Sequence, residues 1–182
     1  MLGAFFRRNG DRRRVIEALH LRLSEASRQP GLYTALGVPD TVEGRFESLT
    51  LHAILLLRRL NTLPSPGPDI AQDLVNSVFL QFDASLRELG VGDVGVPKRM
   101  KKLARMFYGR MGPYWEAMDA GDAGALAAAL GRNIMPGDAA TADFRADAIA
   151  RYMLAAVKAL AARDDATLLT GDVAFPDAGA VA

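Results

Sequence analysis

The segment from Asp40 to Asn61 limits what this chain can fold into more than any other. Asp40 or Thr41 offers a side-chain oxygen to the free N–H groups of a helix start, and Glu43 adds acid in the first turn. Phe46, Leu49, Ala53, Leu56 and Leu60 then recur at three- or four-residue spacing and form one apolar face. Leu51, Ile54, Leu55 and Leu57 widen that face until little polar surface remains. A helix apolar nearly all round needs other elements on every side of it. The run Leu49–Leu57 contains His52 and is far shorter than the roughly 20 residues that cross a bilayer, so the surroundings it demands are protein.

The rest of the chain supplies those surroundings. Val15, Leu19 and Leu23 predict a helix over 11–27, stopped by Pro30-Gly31, with a short turn over 32–36. After Pro64, Pro66 and Pro68, Asp69 is placed to cap a helix carrying Ile70, Leu74, Val78, Phe82, Leu86 and Leu89 on one face, closed by Gly90. Pro97 suits the first turn of the next helix, which runs to about Ala120 with Gly112-Pro113 expected to kink or interrupt it. Helices over 123–133 and 143–163 follow, then a short turn over 166–169 and a tail from Gly171 expected to be disordered. Leu and Ala dominate the apolar residues, which also favours helix. The expected fold is all-α, an irregular bundle of about six or seven helices in a single domain. Residues 1–29 form a basic arm and first helix, 30–165 the main helical domain, and 166–182 the turn and tail.

Several chemistries are excluded or weakened. The chain has no cysteine, so disulfides, thiol catalysis and Cys-ligated metals are ruled out. Its two histidines, His20 and His52, are too few for a His-rich metal site. Glu43, Glu47 and Asp83 lack the Glu-x-x-His pairs of a di-iron bundle and are read as capping or hydrogen-bonding residues. Ser48 and His52 are four apart, but a mid-helix hydroxyl has no oxyanion hole. The Gly-rich stretch Gly90–Gly95 follows a helix, and a phosphate loop would follow a strand, so a connector is the better reading. No catalytic residue, metal, cofactor or small-molecule substrate is expected.

Charge is the positive signal. Residues 1–110 carry 17 Lys/Arg against 11 Asp/Glu, and residues 111–182 carry 5 against 10. Lys98, Arg99, Lys101, Lys102, Arg105 and Arg110 stripe one helix with no acid between Asp93 and Glu116. Such a stripe suits an anionic partner surface, either ribosomal RNA or lipid headgroups. Arg7, Arg8, Arg12 and Arg13 beside Phe5 and Phe6 suit contact with a membrane surface. Alternatives from the residues alone are a basic RNA- or ribosome-binding module without a client, and a small helical metalloprotein built on Glu43, Glu47 and Asp83.

Two blocks carry a family resemblance. The first is Leu32-Tyr33-x-x-Leu36-Gly37-Val38-Pro39-Asp40-Thr41-x-Glu43-Gly44-Arg45-Phe46-Glu47, continued through Leu49–Arg59 with His52 and a Leu-Leu-Arg-Arg pattern. The second is Leu86-Arg87-Glu88-x-Gly90-Val91-Gly92-Asp93, then Val96–Lys102, then Phe107-Tyr108-Gly109-Arg110. In this order and spacing they resemble the ubiquinol–cytochrome c chaperone family over most of residues 30–165. The resemblance implies a non-catalytic assembly chaperone whose client protein is newly made cytochrome b. Mitochondrial relatives work near the ribosomal tunnel exit with a small partner protein and no cofactor. The short N-terminal region points to a bacterial member in the cytoplasm, peripheral on the inner face of the cytoplasmic membrane. Glu43, Arg45, Glu47 and Asp93 are then expected to hold the fold or line a client groove.

Overall fold

The computed structural model describes residues 2–134 and 145–181, with side chains from Gly10 onward. Six long helices and two short ones make up the described residues, with no strand among them. They are α1 (Leu2–Ser27), α2 (Pro30–Thr34), α3 (Val42–Asn61), α4 (Gly67–Glu88), α5 (Gly95–Ala120), α6 (Ala123–Ile134), α7 (Ala146–Ala162) and α8 (Asp165–Leu168). The single-domain, all-α expectation is met, and among the described residues no helix is long and apolar enough to cross a membrane.

The central helix is α3. Thr41 is its N-cap, accepting a hydrogen bond from the Gly44 N–H at 3.1 Å. Helices α1, α4, α5, α6 and α7 all pack on it, and α6 and α7 pack extensively on each other. Leu51 through Leu57 are buried on every side, and Ile54 and Leu56 are fully inaccessible. Arg59 fastens the lower end: its guanidinium donates to the Leu160 and Arg163 carbonyls at 3.1 and 3.2 Å and to Asp165 at 2.5 Å. A cation there satisfies carbonyls that the end of α7 leaves free and opposes its negative pole.

Helix boundaries differ from the sequence reading where local chemistry competes. Helix α4 starts at Gly67, with Pro66 preceding it, so Asp69 lies inside the first turn and makes no cap hydrogen bond. Gly90 has φ 78° and ends that helix as expected. Helix α5 is not interrupted: it continues through Pro113 to Ala120. Pro113 removes one amide donor there, while Phe107, Tyr114, Ala117 and Met118 remain buried on both sides of it. The expected start of the seventh helix, residues 143 and 144, lies outside the described residues.

The largest correction concerns the tail. Residues 171–181 pack against the bundle. Val173 and Ala178 are buried, and the Phe175 ring sits edge-on to His52 with centroids 5.1 Å apart. Gln29 clasps the tail with both ends of its amide, donating to the Pro176 carbonyl at 3.1 Å and accepting from the Ala178 N–H at 2.8 Å. The backbones approach so closely that a Cβ on Gly31 would lie 2.4 Å from the Gly179 nitrogen. The small residues that suggest disorder in the sequence permit that approach.

Gln29→Ala therefore loses two hydrogen bonds that span the length of the chain. Its urea midpoint should fall by an amount equivalent to about 1–2 kcal/mol. An unchanged midpoint would mean that the tail is not held by Gln29.

Candidate partner-binding surfaces

Helix α5 carries the charge signal and also divides it. Lys98, Arg99, Lys101, Lys102 and Arg105 are exposed, and none makes an ion pair among the described residues. They form a continuous cationic face on one side of the helix. Val94, before its first turn, is 95% exposed, and Tyr108 is half-exposed and stacks on Phe79 at 6.0 Å. The same helix turns Val96, Phe107 and Tyr114 into the core.

Arg110 does not belong to that face. It lies on the inward side of α5, where its guanidinium forms a paired, two-point contact with the Glu47 carboxylate on α3. The Nε–H to Oε2 distance is 2.6 Å, and Nη1 also donates to the Met106 carbonyl at 2.7 Å. Both side chains are nearly inaccessible. Burial pushes the Glu47 carboxyl up, while the hydrogen bond and charge of Arg110 pull it down. The guanidinium also lies 5.9 Å from the centroid of Phe46, which stacks at a tilt on Phe82, 5.1 Å away. Arg110 shares its side of α5 with the buried Phe107 and Tyr114, and the acid at Glu47 is what lets a cation stay there.

The N-terminal cluster is likewise divided. Arg12 ties α1 to α4, donating to Asp73 at 2.5 Å and to the Asp69 carbonyl at 2.9 Å, so it is a packing residue and not a free surface contact. Arg13 is exposed and paired with Glu17 at 2.7 Å. The side chains of Phe5, Phe6, Arg7 and Arg8 lie outside the described residues.

The residues of the rival chemistries are separated. Glu47 faces Arg110, Asp83 faces Arg87 at 2.7 Å, and Glu43 is exposed at the start of α3. Among the described residues no group of three or more His, Asp or Glu side chains could hold a metal. Ser48 and His52 form no dyad. The Ser48 hydroxyl donates to the Ser27 carbonyl at 2.8 Å, and His52 Nδ1–H donates to the Ser48 carbonyl at 2.7 Å. A carbonyl can only accept, which fixes the Nδ1–H tautomer, and Nε2 accepts the Tyr152 hydroxyl proton at 2.7 Å. The imidazole is neutral, and burial lowers its pKa to about 4. Asp93 holds the α4–α5 loop through Arg87 at 2.5 Å, and Arg45 pairs with Asp40 at 2.7 Å.

A groove of about 720 Å³ opens between the end of α1, α2, the start of α3 and the end of α4, with Leu103 of α5 at one side. Its apolar surface comes from Tyr33, Val42, Phe46, Phe82, Leu86 and Leu89. Leu86 and Leu89 continue the apolar repeat of α4 and read as core in the sequence. Neither joins the core: Leu86 is only half-buried and Leu89 is 61% exposed, and across the groove Val42 of α3 is 60% exposed. The last turn of α4 extends past the neighbours that cover Leu74, Val78 and Phe82, which periodicity alone does not reveal.

Glu47→Ala should destabilise the fold by about 3–5 kcal/mol, because it leaves Arg110 buried without a counter-ion. Replacing both partners, as Glu47→Leu with Arg110→Met, should recover most of that loss in chemical denaturation. A double variant as unstable as the single would show that the pair is not the source of the cost.

His52 generates a pH dependence with a definite sign. The unfolded imidazole binds a proton below its ordinary value near 6.5, and the folded one only below about 4. Between those values the unfolded state holds more protons, so stability falls as pH falls, by on the order of 3 kcal/mol over the window. His52→Gln should be less stable at pH 7 yet show a flatter profile between pH 6.5 and 4. Parallel profiles would contradict the buried neutral imidazole.

The comparisons with known proteins fit this architecture along nearly its whole length. No curated protein matches the chain. The crystal structure of the Cbp3 homolog from Brucella abortus superposes with a TM-score of 0.86 and 42% sequence identity, covering 98% of each chain. The ubiquinol–cytochrome C chaperone family matches residues 34–175, from the end of α2 to the Phe175 that packs on His52. On that match, the chain belongs to the ubiquinol–cytochrome c chaperone family.

Proposed function

We propose that this chain holds newly made cytochrome b during biogenesis of ubiquinol–cytochrome c reductase, as a non-catalytic assembly chaperone. The observation that carries the reading is the family match across residues 34–175, which takes in α3 to α8 and the Phe175 that packs on His52. Cytochrome b as the client is the finer part of the proposal. A bundle in which Ser48, His52, Glu47 and Arg110 are engaged in internal hydrogen bonds, with an apolar groove and a cationic face left outward, suits binding.

In this reading Lys98, Arg99, Lys101, Lys102 and Arg105 contact an anionic partner surface, and Arg110 acts from within by fixing α5 to α3. The exposed Val94 and Tyr108 beside those cations support lipid headgroups as that surface, and with them a peripheral position on the inner face of the cytoplasmic membrane as part of the proposal. The uncompensated charge of α5 also supports a second reading, a ribosome- or RNA-binding module without a dedicated client. A small partner protein, as in mitochondrial relatives, is compatible with either.

Deleting the gene in the native host should lower cytochrome b and reductase activity, and wild type should restore both. A Lys98→Glu, Lys101→Glu, Lys102→Glu, Arg105→Glu variant should restore them poorly while keeping its thermal midpoint, because these side chains are exposed and make no ion pair among the described residues. Unchanged cytochrome b on deletion, together with RNA binding that weakens steeply with salt, would favour the second reading.

A further inference from the structure

We propose that the groove between α2, α3 and α4 receives the N-terminal end of an amphipathic helix of a partner protein, with carboxylates in that helix's first turn. This rests on the chaperone reading only in taking a protein as the occupant.

Three observations point to this chemistry. The walls are apolar and remain partly uncovered: Val42 and Leu89 face each other's helices from the rim while more than half exposed, above Phe46 and Phe82. A groove of about 720 Å³ is large enough for several side chains, and apolar grooves of this kind take a helix through anchors at i, i+3, i+4 and i+7.

The charge on the lining is cationic. Arg28 and Arg45 line the groove with Asp40 as the one acid among its lining residues. Asp40 is engaged by Arg45 at 2.7 Å, and that hydrogen bond holds its carboxyl below the usual carboxylate range. Arg28 is exposed at the end of α1 and makes no ion pair among the described residues. Arg99, also exposed, lies one helical turn before Leu103 at the other side. Acids are common in the first turn of a helix, where they oppose its positive pole, so a helix entering by its N-terminus presents the complementary charge.

The wall also contains an unused acceptor. Gln81 lines the groove, and its Oε1 is buried with no hydrogen-bond partner among the described residues. Buried polar atoms are normally paired, and a helix N-terminus brings backbone N–H groups that have no partner within their own helix. A rotation of the Gln81 side chain would offer Oε1 to one of them.

The test uses the full chain and a fluorescent, acetylated peptide with Glu in its first turn and Leu at i, i+3, i+4 and i+7. Anisotropy should show saturable binding, weakened about tenfold or more by Val42→Asp with Leu89→Asp. Leu80→Asp, at a residue still more exposed (72%) but outside the groove, should leave affinity within about twofold. Arg28→Glu should weaken this peptide and strengthen a version with Lys in place of the Glu residues. Thermal midpoints of the variants should stay at the wild-type value, because every substituted side chain is exposed. No binding, an equal loss with Leu80→Asp, or equal affinity for the Lys peptide would overturn the proposal. So would displacement of the peptide by phosphatidylglycerol vesicles through the same groove residues, which would identify an acyl chain as the occupant. In the deletion host, loss of cytochrome b that the Val42→Asp, Leu89→Asp variant fully repairs would refute the groove while leaving the chaperone reading intact. Deletion without loss of cytochrome b would refute that reading, and the peptide measurements would still decide the groove.

Discussion

Glu47 and Arg110 meet almost out of reach of solvent, and the two halves of the molecule's outward chemistry depend on that contact. Most of helix α3 from Phe46 to Leu57 is buried, and a charge placed there needs a partner inside the protein. Glu47 finds Arg110, and in doing so sets the rotation of α5 about its own axis. With Arg110 held inward, helical geometry sends Lys98, Lys101, Lys102 and Arg105 outward. On its other side the guanidinium rests against Phe46, which with Phe82 forms the floor of the groove. One buried pair thus connects the cationic face with the apolar groove. Its rigidity comes from planar, two-point hydrogen bonding rather than from charge alone.

His52 plays the matching role at the other side of α3. Its two ring nitrogens are satisfied by a carbonyl on the same helix and by a hydroxyl on α7, and its face is closed by Phe175 from the tail. A neutral, fully paired imidazole is tolerated in a core where a charged one would not be. The tail is therefore a part of the bundle: it covers a histidine that would otherwise be open at one side, and Gln29 pins it there.

The fold was legible because α3 is unambiguous. A segment with no polar face demands a shell of helices, and the amphipathic stripes before and after it could form nothing else. The cap at Thr41 and the stop at Gly90 followed from local chemistry and are present. The errors share a cause, which is that a pattern along the chain does not show what lies opposite it. Arg110 continues a surface stripe in the sequence but meets Glu47, which is 63 residues away. Arg12 belongs to a basic cluster by position and to Asp73 by contact. Leu86 and Leu89 keep the core period past the point where the core ends, and the small residues after Gly171 look like a loose end because small size also permits close packing. The family blocks marked the region that matters, although the residues within them divide between framework and surface only in three dimensions.

A chaperone of this kind must hold cytochrome b before that subunit is assembled. The direct measurement is a pulse-chase in the native host, with immunoprecipitation of this chain at intervals after labelling. Labelled cytochrome b should co-precipitate early and disappear from the precipitate as it enters the reductase, and the charge-reversed α5 variant should capture less of it. Labelled cytochrome b that never co-precipitates, while the assembled reductase still accumulates it at the normal rate, would contradict the account.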